Sequence, residues 1–254
     1  MSVLQTLKPG VLAPLAQKQC ALGIMTKFPQ AGQVKTRLTP PLTPEEAAAL
    51  NKCFLRDLSR SILLACRQAP ARGVGIYTPE GSEAAFGTIL PLGFFLLSQR
   101  GDSFGERLIN ATNDLFAVGF TSVCLINSDS PLVPASSFVI AANELTNEED
   151  SIVLGPSDDG GYYLIGMKKA HRHLFQGVDW STPRVLMQTK QRAAELGLEV
   201  GELPVSFDVD DGVALRRLSR ELLTDQASAV AASTQKFLRE LAAGGGRERI
   251  LGKT

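Results

Sequence analysis

Cys20-Ala-Leu-Gly-Ile-Met25, then Thr26-Lys-Phe-Pro-Gln-Ala-Gly-Gln-Val-Lys-Thr-Arg-Leu38, then Thr43-Pro-Glu-Glu46 is the stretch whose reading decides the fold. The first piece is a short apolar run, as expected of a strand covered on both faces. The second gathers Lys27, Lys35 and Arg37 around a turn containing Pro29 and Gly32. The third reads as a helix start, with Thr43 as N-cap, Pro44 at the first helical position and Glu46 completing a capping box. Strand, cationic loop and helix is the arrangement by which α/β proteins hold phosphate at the C-terminal edge of a sheet. Arginine presents a planar fork to phosphate oxygens, and lysine a point charge.

Outward from this stretch, strand-like and helix-like segments alternate, which argues for a layered α/β domain. Strands are expected at residues 20–25, 74–78, 94–98, 122–127, 151–155, 162–166 and 200–203. Helices are expected at 44–67, 106–118, 134–145, 182–196, 211–223 and from Ala227 to Leu241. There is no internal repeat and no linker long enough to divide the chain. One domain over 20–243 is therefore expected, with 1–19 as an N-terminal extension and the glycine-rich 244–254 as a flexible tail.

The 254 residues carry 26 Lys plus Arg against 26 Asp plus Glu. That balance argues against nucleic acid as a partner, so any affinity for phosphate must be local. Cys20, Cys53, Cys66 and Cys124 form no CxxC pair and lie in apolar or helical runs. Reduced, buried thiols suit a cytoplasmic protein. Residues 1–19 lack a continuous apolar core and contain Pro9 and Pro14, unlike a signal peptide, and no later run approaches a membrane span.

Three further places carry chemistry. The apolar run Val123-Cys-Leu-Ile126 ends at Asn127-Ser-Asp-Ser-Pro131. A carboxylate just past the end of a central strand, here Asp129, can hold a hard divalent cation together with a nucleotide's phosphates. In Asp158-Asp-Gly-Gly-Tyr-Tyr163, Gly160 and Gly161 allow close backbone approach to a ligand. Tyr162 or Tyr163 can stack on a sugar or base, although Asp-Gly is also a plain hairpin signal. In Asp208-Val-Asp-Asp211, three carboxylates within four residues repel one another unless a cation neutralises them. His171 and His173 lack zinc-site spacing, and Trp180 reads as a packing anchor.

Taken together, these segments resemble the glycosyltransferase-A superfamily of nucleotide-diphospho-sugar transferases. More narrowly, they resemble a bacterial family of uncharacterised transferases with a Lys-x-Pro-x-x-Gly-x-Val-Lys-Thr-Arg-Leu signature, matched in full from Lys27 to Leu38. Its Asp-x-Pro element is Asp129-Ser-Pro131, and its Asp-Gly-Gly-Tyr-Tyr-Leu-Ile-Gly element runs from Asp159 to Gly166. A Gln and Gly-x-Arg-Leu element appears as Gln99 and Gly105-Glu-Arg-Leu108. The resemblance implies a single three-layer α/β/α domain with a mostly parallel mixed sheet. It implies nucleotide binding by Lys27, Gly32, Lys35, Arg37, Gln99 and Arg107, and Mg²⁺ or Mn²⁺ held by Asp129 and Asp210, with Asp208 as the alternative second ligand. Two departures bear on that second ligand: Asp211-Gly-Val-Ala replaces the usual Thr-Pro-Glu-Asp, and Asn127 stands where many relatives have Gly.

The expected function is metal-dependent transfer from a nucleotide-activated substrate to a small-molecule acceptor. Lys27, Lys35 and Arg37 neutralise the leaving group, and Asp159 orients or deprotonates the acceptor beside Asp158, Gly160, Gly161 and Tyr162. Glycosyl transfer from a nucleotide sugar is the first expectation. Nucleotidyl transfer from a nucleoside triphosphate to a phosphorylated acceptor, with release of pyrophosphate, is the alternative. A non-catalytic nucleotide-binding module is the third.

Overall fold

The computed structural model of the chain describes residues 4–224 and 229–252. At its centre lies β2 (Cys20–Lys27), paired in parallel with β3 (Ala71–Thr78) on one side and β5 (Ser122–Ile126) on the other. Both faces of β2 are covered, so its side chains alternate between two cores. Cys20, Leu22 and Ile24 enter one, Ala21 and Met25 the other. β4 (Phe95–Ser98) and β1 (Gln5–Thr6) extend the sheet beyond β3, while β7 (Tyr162–Met167), β6 (Ser151–Pro156) and β8 (Glu199–Glu202) extend it beyond β5. The order is β1-β4-β3-β2-β5-β7-β6-β8. Among the described strands only β7 runs antiparallel to its neighbours, so the sheet is mixed and mostly parallel.

α1 (Pro44–Ala65) and α4 (Ala135–Glu144) cover one face, and α3 (Phe104–Ala117) and α5 (Val185–Glu195) the other. This is the expected three-layer domain. α1 opens with the capping box read from the sequence: Glu46 N–H donates to Thr43 Oγ1 at 3.2 Å, and Thr43 N–H donates to Glu46 Oε2 at 2.8 Å. A second box, from Ser103 and Glu106, starts α3 two residues earlier than expected. α2 (Glu83–Phe86) is a single turn.

α6 (Gly212–Thr224), α7 (Ala232–Leu241) and α8 (Arg247–Leu251) pack outside α1 and close a third core around Leu38, Leu42, Phe54, Leu215 and Ile250. The expected start of the last long helix at Ala227 lies outside the described residues. From Ala232 onward the helix is capped by buried Asp57 of α1, which accepts the N–H groups of Ser233 and Thr234 at 2.8 Å each.

Two segments expected at the periphery belong to the fold. The N-terminal extension adds β1 to the sheet edge, with Leu4 and Leu7 buried beside it. The glycine-rich tail is folded through residue 252. Its glycines supply a kink at Gly245 (φ 90°) that lets α8 turn back, bury Ile250 and pair Arg249 with Glu46 at 2.9 Å through both carboxylate oxygens. No described helix is long and apolar enough to cross a membrane.

Candidate active site at the C-terminal edge of the sheet

The cationic loop leaves the C-terminal end of β2 and is pinned to the helical layer by Leu38 (0 % exposed) and Leu42, both sunk into the third core. Gly32 and Lys35 take left-handed backbone (φ 71° and 50°), which bends the loop back over the sheet edge. The Lys35 side chain is only 6 % exposed. Its ammonium donates to the Val209 carbonyl at 2.9 Å and lies 2.6 Å from Asp129 Oδ1 and 2.9 Å from Asp210 Oδ1. Burial pulls the Lys35 pKa down, but the fields of Asp129 and then Asp210 outweigh it, and the net shift is upward. Lys27 and Arg37 are exposed, and Lys27 Nζ donates to Gln33 Oε1 at 3.1 Å.

Asp129 reaches this ammonium because Asn127 N–H continues the β5–β7 ladder to the Tyr163 carbonyl before the chain turns. Asn127 then organises the turn. Its Oδ1 accepts the Asp129 N–H at 3.2 Å and lies 3.1 Å from the Ser130 hydroxyl oxygen, while its Nδ2 donates to Asp208 Oδ1 at 2.8 Å. A glycine here could make none of these bonds.

The late acidic segment arrives along the edge of β6. Ser206 N–H bonds the Pro156 carbonyl, Asp158 N–H bonds the Ser206 carbonyl, and Val209 N–H bonds the Asp129 carbonyl at 2.9 Å. That path separates the two late aspartates. Asp210 shares Lys35 with Asp129, while Asp208 turns to Asn127 and Ser130. Burial, with the Asp129 and Asp159 charges adding to it, raises the Asp208 carboxyl to about 6 against its hydrogen bonds from Ser130 and Asn127. Asp210 is held below its ordinary value: burial pushes it up, and the Lys35 charge more than compensates.

Asp158-Asp-Gly-Gly161 forms the tip of the β6–β7 hairpin, closed by Ser157 N–H to the Gly161 carbonyl at 3.0 Å. Asp159 Oδ1 accepts the Gly161 N–H at 2.8 Å, and Asp158 is paired with Arg217, whose guanidinium stacks 3.8 Å above the Phe207 ring centroid. Gly160 (φ 87°) lies so close to the 180–183 loop that a Cβ on it would come 2.2 Å from the Pro183 carbonyl oxygen. Tyr162 lines the cleft, and burial raises its phenol. Tyr163 is core, its hydroxyl donating to the Pro204 carbonyl at 3.0 Å.

Two cavities result. A basin of about 290 Å³ is lined by Lys27, Lys35 and Arg37 together with Asp129 and Asp210. A cleft of about 670 Å³ opens beside it between Asp158, Asp159, Tyr162, Trp180, Phe207 and Arg217. They share Arg37, Ser128, Asp129 and Asp210, so they form one groove. Gln99 and Arg107 stand apart from both. Gln99 Nε2 ties the Thr26 and Ile76 carbonyls at 2.9 and 2.7 Å, and Arg107 lies over the Phe104 ring. Sequence reasoning missed Arg217 and the cleft-lining side of Trp180, which packs edge-on against Phe104 at 5.1 Å. One arginine on an amphipathic helix gives no local signal.

Residues 63–182 match the family described as "Uncharacterized protein conserved in bacteria (DUF2064)". The crystal structure of a candidate nucleotide-diphospho-sugar transferase from Desulfovibrio desulfuricans G20 superimposes with a TM-score of 0.78 and 30% identity, covering 89% of this chain and 96% of that one. CMP:2-keto-3-deoxy-manno-octonic acid synthetase, solved with CTP, shares the fold at a TM-score of 0.51 and 12% identity, covering 82% of this chain and 99% of that one. The 2-phospho-L-lactate guanylyltransferase of Methanothermobacter thermautotrophicus is 26% identical over 145 residues, which is 57% of this chain and 59% of that enzyme. The chain thus matches less than two thirds of that enzyme's length. The fold is that of nucleotide-diphospho-sugar transferases and nucleotidyltransferases.

Proposed function

We propose that this chain, which belongs to the family of the Desulfovibrio protein, is a nucleotidyltransferase. It joins the nucleoside monophosphate of a triphosphate to a phosphorylated small molecule and releases pyrophosphate. The observation that carries this reading is the basin of about 290 Å³, where exposed Lys27 and Arg37 stand beside the buried Lys35 ammonium that bridges Asp129 and Asp210. Three cations in so small a space suit a polyphosphate better than a single phosphate.

In this reaction an oxygen of the acceptor phosphate attacks the α-phosphorus of the triphosphate. The bond from that phosphorus to the bridging oxygen breaks, and pyrophosphate leaves with the electron pair. Lys27, Lys35 and Arg37 neutralise the charge that gathers on the leaving group. A phosphate nucleophile is already deprotonated, so no general base is needed. In the hairpin, Asp159 accepts its own turn's Gly161 N–H through one oxygen, and Asp158 is paired with Arg217. The adjoining cleft holds the acceptor, with Arg217 as its cationic contact and Tyr162 and Trp180 as walls.

The residues fit a divalent cation. Asp129 and Asp210 converge on one cationic point, the Lys35 ammonium. No group of three or more acidic, His or Cys side chains is gathered to hold a metal among the described residues, so phosphate oxygens would complete the shell. Mg²⁺ or Mn²⁺ bound there supplies positive charge to the phosphate oxygens.

Glycosyl transfer, the first expectation from sequence, is less well supported, because the guanylyltransferase relative favours nucleotidyl transfer. The test is product analysis with each of the four nucleoside triphosphates, Mn²⁺ and a panel of phosphorylated hydroxy acids, GTP being the first to try. Acceptor-dependent pyrophosphate release is expected. Consumption of a nucleotide sugar with release of nucleoside diphosphate would overturn the reading.

A further inference from the structure

The Lys35 ammonium sits where the two carboxylates converge. It touches Asp129 at 2.6 Å, Asp210 at 2.9 Å and the Val209 carbonyl at 2.9 Å. An ammonium has three N–H donors, and these three contacts occupy all of them. Its side chain is almost wholly covered, with the Phe54 ring 5.7 Å away. Lys35 therefore cannot bind a phosphate while keeping its present partners. Nor can a divalent cation take both carboxylates while the ammonium lies between them. Lys27 and Arg37 are exposed at the same basin and are free to meet a polyphosphate first.

We propose that Lys35 is an exchangeable counter-ion. Without phosphate it occupies the Asp129–Asp210 pair and excludes divalent cations. Polyphosphate gathered by Lys27 and Arg37 draws it off, and only then does the pair accept the cation. The four-carbon stem of lysine permits such a swing, whereas a planar guanidinium would need a wider space. Two neighbouring carboxylates left without the ammonium repel each other and seek another positive charge, so phosphate and cation reinforce one another's binding. The proposal deepens the proposed function and rests on reading Asp129 and Asp210 as the cation-holding pair.

The test measures protein-bound Mn²⁺ by electron paramagnetic resonance in the parent and in Lys35→Gln, first without phosphate and then with inorganic tripolyphosphate. Lys35→Gln should bind Mn²⁺ on the order of tenfold more tightly than the parent when phosphate is absent. A parent that binds Mn²⁺ as tightly as Lys35→Gln overturns the counter-ion role and leaves the metal reading standing. If neither protein binds Mn²⁺ even with tripolyphosphate, the metal reading falls and takes the counter-ion role with it. Should Lys35→Gln fail to fold, the parent alone decides. Tripolyphosphate must raise its Mn²⁺ affinity beyond what chelation in solution supplies, and no rise overturns the proposal.

Discussion

The basin and the cleft meet at Asp129 and Asp210, yet they are built in opposite ways. Five consecutive residues, 33–37, line the basin, and Lys27 stands six positions before them. The cleft draws its walls from β2, α3, the end of β5, the β6–β7 hairpin, the 180–183 loop, the start of α5 and α6. The cations of the basin are written as one motif, and Leu38 and Leu42 sink the end of their loop into the third core. The cleft is a shape, and its shape depends on how distant pieces seat against each other. Chemistry that any bound polyphosphate requires is thus local in sequence, while selection of the acceptor is distributed.

The largest effect is expected where the two meet. Asp129→Asn removes a charge from the shared edge while keeping an oxygen for the Ser128 hydroxyl, which lies 3.0 Å away. Turnover should fall on the order of 10²–10³-fold with the circular-dichroism spectrum unchanged, as read by pyrophosphate release. Activity close to that of the parent would mean that the junction is not the reacting centre.

Two glycines then separate the regions. Gly32 in the cationic loop and Gly160 in the hairpin both have positive φ, but a Cβ on Gly32 meets nothing within 4 Å. Gly32→Ala should cost only the left-handed backbone preference, roughly 1–2 kcal/mol. Gly160→Ala adds a collision with the Pro183 backbone, so its loss of stability should exceed that of Gly32→Ala, as measured by urea denaturation. Equal losses would show that the 180–183 loop yields easily and that the cleft wall is soft.

A smaller and more selective effect is expected at Arg217. Arg217→Ala removes the partner of Asp158 and the cation stacked on Phe207. The acceptor KM should rise roughly tenfold, as for a lost hydrogen bond to a charged group, with the triphosphate KM unchanged. A rise in the triphosphate KM instead would assign Arg217 to the basin and erase the division between the two regions.

These differences also explain what could be read in advance. The expected strands and helices at 20–25, 44–67, 122–127 and 162–166 are near the observed elements, because covered strands are continuously apolar and capping boxes mark helix starts locally. The cations of the loop were legible because they lie close together in sequence, whereas Asp129 and Asp210 reach the basin from distant segments. Arg217 was not, because its place is set by α6 packing over Phe207, a contact that no spacing encodes. Asn127 looked like a departure from a pattern, yet it became the hub that turns Asp208 away from Lys35. The tail looked loose because three consecutive glycines, 244–246, open it, whereas its place is fixed by Ile250 and Arg249 further on.

That tail yields the smallest predicted effect, and it acts on the basin side alone. Arg249 pairs with Glu46 at the start of α1 and donates to the Pro41 carbonyl at 3.0 Å, where the cationic loop ends. The Glu46 carboxyl is held below its ordinary value of 4.5, chiefly by hydrogen bonds from Arg249 and further by the Thr43 N–H. A carboxyl whose folded pKa is depressed stabilises the fold fully above its unfolded value. That contribution drains away as the pH falls through the lower folded value. Arg249→Ala should therefore lower the melting temperature by no more than a few degrees at pH 7. The gap to the parent should hold down to about pH 4.5 and narrow below it, and added salt should narrow it at any pH because the pair is partly exposed. A gap indifferent to both pH and salt would mean that Arg249 holds the loop through the Pro41 carbonyl rather than through Glu46. The loop beside the basin would then be anchored from the C-terminus through a backbone carbonyl rather than through an ion pair.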